Sequence, residues 1–403
     1  MGVDGLATAE TLRKKDKNIE IIVVYNQEPY YYYFSSWLID LLAGRKSKKQ
    51  LFPHTPEWHE KQRISVMLSS QVVRINPSEK TIELEDGKTD TYDKLVLARG
   101  STPFIPPFRN KEGKGVFSLR SLDDTLKLIE LSKKVKKALV IGGGLLGLEM
   151  AYALKQRGLD VQVFEYFERL LPRQLDKECA SILQSKIEEK GISVITGARV
   201  AEILRKGKKV RGLAFENGQI FDGDVILVTA GNRSNIKLPK DAGLQINRGV
   251  IVNEFMETSA EDVYAIGDVA EFNGRVYGII PAALDQAKIA VENILGNQIK
   301  YTGTIPSNTL HVMGIEVTSI GVAQPEPEKK GEYEEIRVLD EKKGTYKKFV
   351  IKDGKLVGLI MVGTEKYVHA YARLIRKGTD IAHLKDKLAD ESISPREKGK
   401  KKG

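Results

Sequence analysis

The stretch KKALVIGGGLLGLEMAYALKQRGLDVQVFEYFERLLP, residues 136–172, constrains the fold more than any other part of the chain. Ala138 to Ile141 is a short apolar run suited to a buried parallel strand. Gly142, Gly144 and Gly147 follow in the spacing G-x-G-x-x-G. Leu145 to Gln156 then carries helical periodicity, closed by Gly158, and a second apolar strand, Val161 to Phe164, ends at Glu165. Each part has a physical task. Gly142 permits a tight turn, Gly144 lets backbone approach a pyrophosphate, and Gly147 lets helix pack close to strand. The helix start offers unpaired N–H groups and the positive end of its dipole to phosphate. Glu165 stands where an acid accepts hydrogen bonds from a ribose 2′-hydroxyl and repels a 2′-phosphate. Strand, turn, helix, strand and acid in this order predict a dinucleotide site that prefers NADH to NADPH.

The chain has 403 residues, enough for two or three domains, and is 41% hydrophobic and 29% charged, as a globular protein with a core should be. No apolar run is long enough to span a bilayer, and no signal-peptide pattern opens the chain. A single cysteine, Cys179, excludes an internal disulfide and fits a reducing, cytoplasmic setting. The net charge is +10, gathered partly in GRKSKKQ, RKGKKVRG and the tail REKGKKKG. Such a surface is solvated in the simplest reading and steers an acidic partner in the sharper one. No basic-aromatic nucleic-acid module appears, and the tail after Pro395 is expected to be disordered.

The opening MGVDGLATAETLRKKDKNIEIIVVYNQEP repeats the same logic. Gly2 and Gly5 have the spacing of the last two glycines of the motif. Leu6 to Lys15 reads as the following helix, with Leu6, Ala9 and Leu12 inward and Arg13, Lys14 and Lys15 outward, and Ile19 to Val24 as the second strand. The first strand of this domain is expected to be missing from the chain; a start upstream of Met1 is the favoured explanation, beside a substitute segment or a degenerate site.

Two dinucleotide motifs in one chain, with YDKLVLARGSTPFIPP, VILVTAGNRSN, TSAEDVYAIGDVAEF and TIPSNTLHVMGIEVTSIG, resemble the FAD-dependent pyridine nucleotide–disulfide oxidoreductase superfamily. LFPHTPEWHEKQRISV and GKLVGLIMVG are similar to the branch of NADH:rubredoxin reductase and the NADH domain of nitrite reductase. The resemblance implies an α/β chain with two Rossmann-like three-layer domains, one for FAD and one for NAD, and a C-terminal α+β domain for dimerisation or partner contact. Its boundaries are expected at 1–110 and 233–305 for the FAD domain, 111–232 for the NAD domain, 306–390 for the C-terminal domain and 391–403 for the tail. It places NAD on Gly142, Gly144, Gly147, Glu165 and Gly231, with Glu149 near the nicotinamide, and FAD on Gly2, Gly5, Asn26, Gly100, Gly267 and Asp268. The departures lie in the flavin half. Asn26 replaces an acid, Arg99 a threonine and Ser234 a proline, and YYYYFSSWLIDLLAG places Ser35 and Ile39 where a basic residue and a serine are usual.

The disulfide-reducing branches place a redox cysteine near the flavin, and Phe34 to Leu42 has none. Cys179 lies in an amphipathic helix and reads as a small buried hydrophobe. His54, His59, His311, His369 and His383 form no metal-ligand pattern, so no metal is expected; His54 and His59 read as polar or capping residues. His311 lies near the flavin if the C-terminal domain packs there. If Tyr30 to Phe34 is a strand, only alternate rings share a face. The expected activity is transfer of hydride from NADH to flavin and then of electrons to a small acceptor, with an acidic rubredoxin- or ferredoxin-like protein the partner that the charge favours. A homodimer is the expected assembly. The competing expectation is a non-catalytic relative with impaired FAD binding, acting as a subunit or nucleotide sensor.

Overall fold

The computed structural model describes residues 2–20 and 22–388; the tail and the side chains of His311 and His383 lie outside the described residues. The chain is α/β and divides into two compact units, one of residues 1–104, 120–122 and 232–304, the other of residues 105–119, 123–231 and 305–403.

In the first unit the opening helix, Val3–Lys15, lies against the helix Ile280–Ile294. Three parallel strand pairs accompany them: Val23–Tyr25 with Ser65–Met67, Leu95–Leu97 with Val263–Ala265, and Val250–Val252 with Ala270–Phe272. Among the described residues no strand joins the first of these pairs to the second. Val263, Ala265, Ile266, Val269 and Ala287 sit at the centre of the unit's apolar core.

The observed elements differ from the expected ones at four places. The opening helix begins at Val3 rather than Leu6, and among the described residues the second strand is Val23–Tyr25. Leu6 and Ala9 are buried as expected, but Arg13 is 5% exposed rather than turned outward. Its guanidinium donates to the carbonyls of Gln62, Ile19 and Arg63 at 2.8, 2.6 and 3.0 Å. Periodicity assigns arginine to the surface, whereas a planar fork with five donors can be buried where carbonyls converge on it. Tyr30 to Phe34 is irregular rather than extended in a strand, so the neighbours Tyr32 and Tyr33 are both buried.

The second unit holds a five-stranded parallel sheet in the order Ser193–Ile195, Asp160–Phe164, Lys137–Ile141, Val225–Val228, Val116–Phe117. Val225–Val228 and, after its first residue, Lys137–Ile141 are buried apolar runs, as parallel strands covered on both faces should be. The C-terminal part is an antiparallel sheet of five strands packed against the helix Val368–Lys377. It is tied to the helix Lys177–Glu189 by charge. Asp176 caps that helix, and its carboxylate accepts the Tyr346 hydroxyl at 2.8 Å. Lys348, its side chain 4% exposed, lies 3.6 Å from Asp176 and 2.9 Å from Glu335.

Candidate functional site

The strand Lys137–Ile141 delivers the chain to the turn 142–144, and the helix Leu145–Gln156 leaves it. Gly142 has φ +114°, a conformation that side chains rarely adopt, and a methyl there would stand 2.5 Å from the Thr229 carbonyl oxygen. Gly147 is closed in more tightly: a methyl would fall on the Gly142 carbonyl oxygen and lie 2.6 Å from Thr229 Oγ1. Gly144 is different. Nothing stands within 4 Å of the position its Cβ would take, so open space lies over the backbone at the helix start. Gly142 is thus required by the turn and Gly147 by close packing, whereas Gly144 is crowded by nothing.

Glu165 is 5% exposed at the end of the neighbouring strand. One carboxylate oxygen accepts the Gly143 N–H at 2.5 Å and the other the Phe167 N–H at 2.8 Å. The acid is therefore held against the turn by backbone donors from two segments. Gly143 and Thr229 were missed by the motif reading. Gly143 stands in a motif position open to any residue, yet a methyl there would lie 3.0 Å from Glu165 Cβ. Thr229 donates its hydroxyl to the carbonyls of Ile141 and Gly142 at 3.1 Å and has no signal in local spacing. Glu149 is half-buried on the helix, and Gly231, φ +101°, follows the strand Val225–Val228.

In the first unit the start of the opening helix meets the turn Gly267–Val269. Gly267 has φ +71° and donates its N–H to Gln286 Oε1 at 2.7 Å. Asp268 accepts the Ser101 hydroxyl at 2.7 Å, and Ser234, in place of the usual proline, donates to the Asp268 carbonyl at 2.6 Å. Gly100, φ +61°, closes its turn although Arg99 precedes it, because the guanidinium reaches away to the Val72 carbonyl at 3.2 Å. Gly2 and Gly5 flank Asp4, whose carboxylate takes the Gly5 N–H at 3.0 Å. Asn26 is buried and its amide donates to the Tyr30 carbonyl at 2.7 Å, inside its own turn.

The histidine expectation changes here. His54 stacks on Trp58 at 3.7 Å and lies 2.9 Å from Glu10 of the opening helix. His59 is buried, stacked on Tyr31 at 4.9 Å, with neither ring nitrogen hydrogen-bonded among the described residues. Burial, and then His54, lowers its pKa. His54, polar as expected, ties this segment to the opening helix, His59 packs among the aromatic rings, and Thr55 rather than either histidine caps the local helix. Among the described residues no cluster of His, Cys, Asp or Glu could hold a metal ion, and no helix is long and apolar enough to cross a membrane.

Cys179 is fully buried in the helix Lys177–Glu189, and burial pushes its thiol pKa well above the ordinary value. The native protein is therefore expected to leave a thiol reagent such as DTNB unconsumed and to react with about one equivalent once unfolded in urea. Rapid native reaction would contradict the packing.

The pyridine nucleotide-disulphide oxidoreductase family matches residues 1–293, and the rubredoxin NAD+ reductase C-terminal domain matches residues 306–379. The assimilatory nitrate reductase electron transfer subunit of Bacillus subtilis is 32% identical over 98% of this chain, which spans 50% of that relative's own length. The NADH-rubredoxin oxidoreductase of Clostridium acetobutylicum is 32% identical over 79% of this chain and 79% of its own. The solved NAD-dependent persulfide reductase from A. fulgidus superposes with a TM-score of 0.87 at 28% identity, over 96% of this chain and 77% of that one. With its glycine turn, buried acid and C-terminal sheet in place, the chain belongs to the pyridine nucleotide-disulphide oxidoreductase family, whose members are NAD(P)H-dependent flavoprotein oxidoreductases.

Proposed function

We propose that the chain oxidises NADH and delivers the electrons to a small acidic electron-carrier protein. The observation that carries this is the turn 142–147, with open space over Gly144 and Glu165 fixed beside it. Gly142, Gly144, Gly147 and Gly231 admit the nucleotide backbone, Glu165 accepts the ribose 2′-hydroxyl, and Glu149 lies towards the nicotinamide. An anionic side chain held there also repels a 2′-phosphate, which favours NADH over NADPH. The first unit has the frame for FAD in the opening helix, Gly100, Gly267 and Asp268. FAD, when bound, supplies hydride acceptance and the return of electrons. The match of residues 306–379 to a rubredoxin reductase C-terminal domain and the net charge of +10 support an acidic protein acceptor. A non-catalytic role is the second reading, favoured by the inward Asn26 amide and the Asp4 carboxylate at the helix start.

The test is the visible spectrum of the FAD-loaded protein before and after anaerobic NADH. Bleaching is expected, with Glu165→Ala requiring about tenfold or more NADH for the same effect, since it loses a charge-assisted contact of about 1.5–3 kcal/mol. Flavin bands that NADH leaves untouched in the native chain would overturn the oxidoreductase reading.

A further inference from the structure

The spacing of Gly2 and Gly5 hides an acid, the second of the two residues between them. Asp4 lies in the first turn of the opening helix, 6% exposed. A methyl on either Gly2 or Gly267 would fall on an Asp4 carboxylate oxygen. The space bounded by the helix start and the Gly267 turn is therefore filled by this carboxylate. It takes one of the N–H donors, that of Gly5, that a helix start presents to an anion.

We propose that the Asp4 carboxylate competes with the FAD diphosphate for this cradle, so that the chain takes up FAD together with a proton on Asp4. The inference rests on FAD binding at this turn. A diphosphate brings further negative charge to a site already holding one, and low surrounding polarity makes the repulsion strong. Protonation removes the repulsion and leaves a carboxylic acid able to donate to a phosphate oxygen.

The groups around Asp4 favour the uptake. Burial raises its pKa to about 6; the N–H of Gly5 works the other way, and Asp268 on the facing turn adds to the rise. The Tyr32 phenol from the aromatic segment is itself pushed up to about 12, first by burial and then by Asp4 and Glu10. It stays neutral near pH 7 and supplies no positive charge. Glu10 lies further along the same helix, paired with His54. No lysine or arginine contributes to the Asp4 shift.

The experiment is titration of the apo-protein with FAD, followed by quenching of free flavin fluorescence, from about pH 5.5 to about pH 8.5. The wild-type Kd is expected to rise about tenfold per pH unit above neutrality, because each binding event must then take up a proton. Asp4→Asn and Asp4→Ala should bind without that slope, and up to about a hundredfold more tightly than wild type at about pH 8. Far-UV circular dichroism and a single cooperative urea transition show that the variants are folded, and NADH binding, read on the same proteins, should be unchanged. A wild-type Kd without slope, or a slope retained in Asp4→Asn, overturns the proposal while leaving FAD at this site. Absence of FAD binding by all three proteins at every pH overturns both the proposal and the reading beneath it.

Discussion

Replacing Gly147 with alanine is expected to destabilise the second unit by about 3 kcal/mol and to weaken NADH binding at least about tenfold. The new methyl meets the backbone oxygen of Gly142, which cannot rotate away, and Thr229 Oγ1 blocks the alternative. The helix must therefore move off the strand, and its N–H donors move with it. Gly144→Ala makes the necessary comparison. Gly144 has φ −79° and ψ 179°, which any residue adopts, and its Cβ would point into open space. Its stability is expected to stay within about 1 kcal/mol of wild type while NADH binding is lost to a similar extent. Urea unfolding together with NADH titration separates the two. Equal loss of stability in both variants would refute the division of labour among the glycines.

Lys348→Met is expected to cost about 3 kcal/mol, because it removes the cation from a buried cluster and strands the carboxylates around it. Burial alone would raise the pKa of Glu335, but Lys348 and Arg337 together hold it below the usual carboxylate range. A carboxylate with a depressed folded-state pKa contributes stability above its unfolded value. That contribution is lost as pH falls through the folded value. Wild type should therefore lose stability on acidification below about pH 4.5, the unfolded range for glutamate. Lys348→Met should be weaker at neutral pH yet lose less on acidification, so the two curves converge towards low pH. Urea midpoints at several pH values check this; parallel curves would mean that the lysine acts by packing alone.

The dinucleotide turn was legible because its requirements are local. A positive φ at Gly142, open space at Gly144 and a helix–strand contact at Gly147 all arise within six consecutive residues, so spacing alone carries them. The helix Leu145–Gln156 matched its expected bounds for the same reason: its periodicity and its glycines are neighbours in the chain. Cys179 was legible as a core residue because its helix repeats its apolar face.

Arg13, Asp4 and Lys348 were not legible. Periodicity treats any charged residue as a surface residue, which holds until distant segments bring it partners. The carbonyls that hold Arg13 include those of Gln62 and Arg63, and the acids around Lys348 come from Asp176 and a neighbouring strand. Asp4 is buried because the turn at Gly267 closes over the helix start. What the sequence by itself determined was the backbone grammar of the glycine turn 142–147, since steric demands on φ and close packing are met within a few residues. Only the tertiary structure decided which charges are buried and where, because desolvation and pairing depend on whatever the fold brings alongside.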